Sequence, residues 1–522
     1  MGIYFNPNHT DFCNAVNHSQ IYLDKTELIQ YTNSVLFGEQ KYICVSRPRR
    51  FGKSMAANML TAYYSRGCDS KKLFQELKIA TRPDFEKHLN QYNVIHLNMQ
   101  SFLSKTQTIE QMIALVTKAV GRDLLRAYPD IDYLDKSILT FMLDDVYQNY
   151  QVPFIFIIDE WDCIFRSRKN QLEEQTKYLD FLRDLLKDKG YIALAYMTGI
   201  LPIKKYGEHS AINVFYEYSM TDASPIEEFT GFTEQEVRQL CEQYNMPFSE
   251  TKKWYDGYCV DGVSIYNPKS VVEAMLRGKF SNYWTQTETY EALKIYIQSN
   301  EFGVQDVILK LLAGEKEKID TTTFSNDMVT FATKDDVLTL LVHLGYLTYD
   351  AETKEIWIPN DEVMEQFIST VKVMGWGSVV TALETSEKLL QATLSGDEQT
   401  VAELIEQAHQ ANASILKYND ENALSCVISL AYYSAQKNYT LHREMPAGKG
   451  FADIVFEPNR NCNLPALIVE LKWGHSAEEA IEQIKRKDYL DCLQNYHGEV
   501  LLVGVNYDKE KHHTCKIERV TR

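Results

Sequence analysis

Short apolar runs that end on, or lead directly into, polar groups punctuate the N-terminal part of the chain. They are Lys41-Tyr42-Ile43-Cys44-Val45, Tyr92 to Asn98, Pro153 to Glu160, and Ile192 to Gly199. Consecutive bulky residues over so few positions read as strands buried on both faces, the habit of parallel sheets. Between the runs the pattern turns helical: a stretch to about Phe37, a helix after Ser54 with Met55, Met59 and Leu60 on one side, an exposed helical stretch before Tyr92, and Thr108 to Tyr128. Asp24 or Thr26 is placed to cap the first helix. Strands alternating with helices predict an α/β domain over residues 1–230.

Further on, Thr233 and Glu236 are spaced as a capping box, and residues 231–290 read as a helical lid. Residues 291–375 are mostly helical. They close with a helix at Asp335 to Leu341 and two short β segments, Gly345 to Tyr349 and Glu355 to Pro359, a winged-helix-like order. Residues 376–412 are helical and polar, a connector. From 413 a second α/β pattern starts: a helix from Glu421 to Gln436, then strands at Tyr439 to Glu444, Phe451 to Phe456 and Ala466 to Lys472. A helix from Ala477 to Tyr489 and a last strand at Glu499 to Val505 complete a domain over 413–522.

The polar ends of the strands carry the chemistry. Arg47-Pro48-Arg49-Arg50-Phe51-Gly52-Lys53-Ser54 lies between the first strand and its helix. Strand, tight loop, Gly-Lys-Ser and helix is the order of a phosphate-binding P-loop. The N–H groups of Arg49, Arg50, Phe51 and Gly52 would receive ATP phosphates, Lys53 would reach the β- and γ-phosphates, and Ser54 would sit on Mg²⁺. Arg47 stands where the generic pattern has glycine. The third strand ends in Asp159-Glu160, the place for an acid that holds Mg²⁺ and one that polarises water. Thr198 ends the fourth strand, placed to sense the γ-phosphate or only to begin a turn. A charge-neutralising arginine would come from Arg166, Arg168, Arg49 or Arg50, or from a neighbouring subunit, which leaves a homo-oligomer open.

In the second α/β region, Asp453 lies on one strand and Glu470-Leu471-Lys472 on the next. Glu470 and Lys472 share a face because strand side chains alternate. Burying an acid and a lysine among Ile, Val and Leu is costly unless they act together. Two carboxylates at a sheet rim suit Mg²⁺ or Mn²⁺, and Lys472 would stabilise charge on a phosphate.

Composition narrows the picture further. A chain of 522 residues suits two to four domains. The net charge of −18 limits nucleic-acid binding to local basic sites such as Lys485-Arg486-Lys487. Ten cysteines without a C-x-x-C pair, no signal sequence and no apolar stretch of about 20 residues predict a cytoplasmic protein without a membrane helix.

The stretch Arg47 to Ser54, with Tyr22 to Thr26, Ile158 to Asp162, Trp254 to Tyr258 and Tyr266-Asn267-Pro268, resembles the bacterial AAA-ATPase-like family over roughly residues 5–290. An arginine at the first P-loop position is expected there. The resemblance implies an additional-strand P-loop NTPase core with a helical or winged-helix extension. Gly450-x-x-Asp453, Glu470-Leu471-Lys472, Gln483, Lys487 and Tyr489 are similar to the PD-(D/E)XK nuclease superfamily over roughly 413–510, without its leading proline. This implies a restriction-endonuclease-like domain with Asp453 and Glu470 as metal ligands, Lys472 catalytic and Gln483 supporting. Glu421 is an additional acid, and Glu444 a weaker candidate. Together they imply an ATP-coupled, metal-dependent nuclease acting on nucleic acid, DNA before RNA. A regulatory ATPase switch whose nuclease fold binds without cutting, and an interaction scaffold, are the alternatives.

Overall fold

The computed structural model describes residues 2–203, 212–284, 294, 301–324, 331–374, 377–412, 428–447, 450–459, 462–493, 496–507 and 512–521. The chain divides into two compact units, Met1–Glu288 with Lys318–Val363, and Thr289–Glu317 with Met364–Arg522.

The first unit is built on the predicted apolar runs. They form β1 (Tyr42–Ser46), β2 (Asn93–Asn98), β3 (Phe154–Asp159) and β4 (Ile192–Gly199), joined by β5 (Tyr216–Tyr218). All pair in parallel, in the order β2-β3-β4-β1-β5. Every residue of β1, β3 and β4 is buried, as continuous apolar runs require of a sheet covered on both faces. β4 lies between β1 and β3, so this is the additional-strand form of the P-loop core. Parallel pairing also collects the polar strand ends (Ser46, Asn98, Asp159 and Thr198) along one edge, where ligands of open α/β sheets bind.

Two local expectations fail here. Thr26 sits at the start of helix Glu27–Val35 with helical backbone and makes no cap bond. Its hydroxyl donates to Asp24, whose carboxylate also accepts from the N–H groups of Thr26 and Lys78. Asp24 and Thr26 thus staple a neighbouring loop. The stretch before Tyr92 is largely exposed but is not one helix. It forms three single-turn pieces, Lys71–Phe74, Lys78–Thr81 and Phe85–His88, with Phe74, Ile79 and Phe85 buried. Apolar residues five and six apart match neither the helix nor the strand period, so each piece buries one anchor.

Thr233 and Glu236 form the predicted capping box on helix Glu234–Tyr244. A small sheet of β6 (Phe232–Thr233), β7 (Tyr258–Val260) and β8 (Val263–Tyr266) follows, ordered β6-β8-β7. Asn267 caps helix Pro268–Arg277. The Asp335 region is helix Lys334–Leu344, followed by the hairpin of β9 (Thr348–Asp350) and β10 (Glu355–Trp357).

The second unit centres on five strands in sequential order: β11 (Tyr439–Ala447), β12 (Gly450–Pro458), β13 (Ala466–Trp473), β14 (Glu499–Tyr507) and β15 (His513–Thr521). Only β13 and β14 are parallel, and helix Ala477–Arg486 makes the crossover between them. The sequence pattern does not reveal β15, in which polar residues alternate with the half-buried Cys515 and Ile517. Helices Gly377–Ser395 and Glu398–Asn412, which the pattern reads as a connector, bury Leu389, Val401 and Ile405 with Val469, Leu471 and Leu501 of the sheet.

Candidate functional site

β1 delivers the chain into the loop, which Lys53 then closes on itself. The Lys53 ammonium donates to the carbonyl oxygens of Arg47 and Pro48, both at 2.9 Å. Arg50 (φ +69) and Gly52 (φ +87) are left-handed, a backbone that turns successive N–H groups toward one point and so receives anions. Burial pushes the Lys53 pKa down, opposed by Glu160, Asp162 and Asp159.

Arg47 explains the missing glycine. Its guanidinium is fully buried, and Nη1 donates to the carbonyls of Ser46, Tyr218 and Ser219 at 2.9, 3.0 and 2.8 Å. The side chain ties β5 to the start of the loop. Burial lowers its pKa to about 10.

Asp159 is the hub behind the loop. Its carboxylate accepts from Ser54 Oγ at 2.7 Å, Asn98 Nδ2 at 3.3 Å and the Thr198 hydroxyl. A cleft of about 1040 Å³ opens in front, lined from the loop by Arg49, Arg50, Gly52, Lys53 and Ser54. Asn98, Gln100, Glu160, Arg166 and Lys269 also line it, with Met55 and Ser167. Glu160 is left-handed (φ +56), and its carboxylate pairs with Arg166, which also lies 3.2 Å from Asp162.

In the second unit, Asp453 on β12 accepts from the N–H of Leu471 on β13 at 2.7 Å. Glu470 is 1% exposed. Its Oε1 accepts from Lys472 Nζ at 3.1 Å and from Gln483 Nε2, while Oε2 has no partner. Gln483 reaches it because helix Ala477–Arg486 lies directly on β14. Gly504 is level with Glu470, and a Cβ there would fall 2.3 Å from the Ala477 carbonyl oxygen. Burial, then the charge of Asp453, raises the Glu470 pKa against the pull of Lys472.

Comparison with known proteins matches this division. Residues 9–207 match the family described as predicted AAA-ATPase, and residues 419–517 match the PD-(D/E)XK nuclease superfamily. The chain joins an AAA-ATPase-like domain to a PD-(D/E)XK nuclease superfamily domain. A protein of Azotobacter chroococcum mcd 1, described as an uncharacterized protein in the vnfD 5′ region, is 23% identical over 275 residues. That match takes in 51% of this chain and 51% of the relative, so the chain spans about half the relative's length. Among solved structures, the Aeropyrum pernix ORC2 protein aligns with 13% identity and a TM-score of 0.29, over 68% of this chain and 97% of its own. The Aeropyrum pernix ORC1 protein in complex with DNA aligns with 11% identity and a TM-score of 0.27, over 71% and 98%. The fold assignment rests on strand order and the family matches, not on these two likenesses.

The AAA-ATPase-like domain arranges the sequence candidates unequally. Arg49, Arg50, Gly52, Lys53, Ser54 and Glu160 line the cleft. Phe51 is buried beneath it, with its ring 5.1 Å from that of Tyr258 and its carbonyl accepting from Gly231 N–H. Thr198 is buried behind Asp159 and bonds to that carboxylate. Of the arginine candidates, Arg168 turns away to Glu174 and the Gln107 carbonyl. Asn98, Gln100 and Lys269 are additions the sequence reading missed. Asn98 had a signal, since it ends an apolar strand as Asp159 does. Lys269 follows the Asn267-Pro268 pair that opens its helix, but nothing local aims it at the loop.

The nuclease superfamily domain brings Asp453, Glu470, Lys472 and Gln483 together. Glu444 lies on β11 and is exposed, and Glu421 lies outside the described residues. Among the described residues no group of three or more His, Cys, Asp or Glu converges, so the protein donors here are two carboxylates. The unpartnered Oε2 of a buried Glu470 beside Asp453 fits a divalent cation, because a buried carboxylate oxygen without a donor is otherwise costly.

Proposed function

We propose that this protein binds and hydrolyses ATP at the Lys53 loop and uses that cycle to control a metal-dependent nuclease centre at Asp453, Glu470 and Lys472. Its substrate would be a nucleic acid phosphodiester, in the cytoplasm. The observation that carries this reading is the Glu470 carboxylate, buried and held on one oxygen by Lys472 and Gln483, with the other oxygen unpartnered.

At the nucleotide site, the loop N–H groups and Lys53 would bind the phosphates, and Ser54 and Asp159 would hold Mg²⁺. Asn98 and Thr198 fix the Asp159 carboxylate. Glu160 takes a proton from the attacking water once Arg166 has released it. Residues 231–290 act as the lid, with Lys269 facing the nucleotide.

At the nuclease site, Asp453 and Glu470 would hold Mg²⁺ or Mn²⁺, which when bound lowers the pKa of water and neutralises phosphate charge. Lys472 donates to the phosphate oxygen on which charge develops. Gln483 orients Glu470.

The test is a cleavage assay on single-stranded and duplex DNA and RNA, with Mg²⁺ or Mn²⁺ and with or without ATP. Cleavage is expected to vanish in Lys472→Ala and to change in Lys53→Ala. ATP hydrolysis without any cleavage would hand the lead to the regulatory-switch reading. The convergence of only two carboxylates among the described residues is the observation that favours that second reading.

A further inference from the structure

Among the described residues of the β11–β15 sheet, two large apolar side chains are exposed: Phe451 at 61% and Trp473 at 43%. Single exposed apolar residues are ordinary on protein surfaces, and strand alternation sets these two on opposite faces, with Phe451 on the face of Asp453. Phe451 is the second residue of β12, two positions before Asp453, and Trp473 ends β13 one position after Lys472. The antiparallel pairing Ile454 with Val469 puts both at the same end of the strand pair. Trp473 has a partner, the Tyr507 ring at 4.7 Å. For Phe451 the ring contacts include none with another aromatic side chain among the described residues.

The surroundings of Phe451 are cationic. A Cβ on the adjacent Gly450 would lie 3.0 Å from Lys487 Cδ and 3.2 Å from the Tyr489 hydroxyl, so Lys487 runs across the backbone beside Phe451. Lys487 Nζ and Gln483 Nε2 both donate to that hydroxyl at 3.3 Å, and Gln483 continues to Glu470. Gln483, Arg486 and Lys487 are spaced three and four apart and share a helix face. An open aromatic ring is therefore set into a basic rim within two strand residues, about 7 Å, of a carboxylate of the nuclease centre.

We propose that Phe451 is a stacking platform for an unpaired base, and that the substrate engaged here is single-stranded nucleic acid. This rests on the nuclease reading above. A base face is open to a protein ring only where it has left the duplex stack, and such stacking tolerates any base. Lys487 and Arg486 would follow the backbone while Phe451 holds the base one or two nucleotides from the phosphate at Asp453.

The experiment measures binding of labelled oligonucleotides, single-stranded and duplex, DNA and RNA, to the full chain in Ca²⁺, comparing wild type, Phe451→Ala and Phe451→Tyr. Oligonucleotides containing 2-aminopurine report stacking directly through fluorescence quenching. Phe451→Ala is expected to weaken single-strand binding by roughly 5- to 150-fold and to abolish quenching, with duplex binding changed by less than about twofold. Phe451→Tyr is expected to retain both. Equal single-strand affinity and quenching in Phe451→Ala overturns the platform while leaving the nuclease reading intact. Wild type binding duplex alone also overturns it. If wild type binds no nucleic acid of any kind, the nuclease reading falls with it. The ring is exposed, so unchanged thermal unfolding of Phe451→Ala separates lost stacking from lost folding.

Discussion

Arg47 and Glu470 are both buried charges, and their surroundings differ in kind. Arg47 spends its guanidinium on three carbonyls that would otherwise need donors. Restoring the generic glycine, Arg47→Gly, is thus expected to destabilise the first unit by about 2–4 kcal/mol and to weaken ATP binding, read by denaturant unfolding and nucleotide titration. Glu470 has one oxygen without a donor, and burial, then Asp453, disfavour its charge. A carboxyl whose folded pKa is raised binds more protons folded than unfolded across the gap. Without metal, stability is then expected to fall as pH rises from the ordinary carboxylate range through the raised pKa. Glu470→Gln is expected to flatten that slope and to stabilise the metal-free protein at neutral pH by about 1–3 kcal/mol, measured by thermal unfolding in EDTA. The same variant is expected to lose the stabilisation that Mg²⁺ gives wild type.

At the scale of elements, two glycines decide where chemistry can be placed. Gly345 ends helix Lys334–Leu344 in the left-handed region (φ +86), and a Cβ there would lie 2.7 Å from Pro48 Cβ. The Tyr258 hydroxyl donates to the Gly345 carbonyl while its ring meets Phe51, so the loop at Pro48 and Phe51 rests on Tyr258 and the end of helix Lys334–Leu344. Gly345→Ala is expected to weaken ATP binding about tenfold or more and to lower the Tm, because both strain and contact oppose it. Gly504 does the equivalent work on β14. Gly504→Ala is expected to lift helix Ala477–Arg486, separate Gln483 from Glu470 and cut nuclease turnover at least tenfold with ATPase rates unchanged. Helix and strand positions were mostly legible because an apolar run of five or six buried residues leaves little choice. The three single-turn pieces before Tyr92 and the edge strand β15 were not, because their burial is spread over isolated anchors or alternates with polar residues.

For the molecule as a whole, the two chemical centres lie in separate compact units, so communication between them is a property to be measured. Glu160→Gln is expected to bind ATP and slow its hydrolysis by about 10²- to 10⁴-fold. If nucleotide state controls the nuclease, this variant with ATP should hold cleavage at one constant level through time, where wild type changes as ATP is consumed.

The sequence by itself determined the strand that leads into Arg47, the strands that carry Asp159 and Thr198, the loop at Gly52-Lys53-Ser54, and the pairing of Asp453 with Glu470 and Lys472. Each depends on spacing within one strand or across one turn, where backbone period alone fixes which face a side chain takes. Tertiary structure decided the rest. It alone put Thr198 behind Asp159 instead of in the cleft, set Arg166 against Glu160, brought Asn98 and Lys269 to the wall, and lowered a helix onto Gly504 so that Gln483 meets Glu470. Apart from the Arg166–Glu160 pair, those contacts join residues well separated along the chain, and no local pattern carries the distance between them.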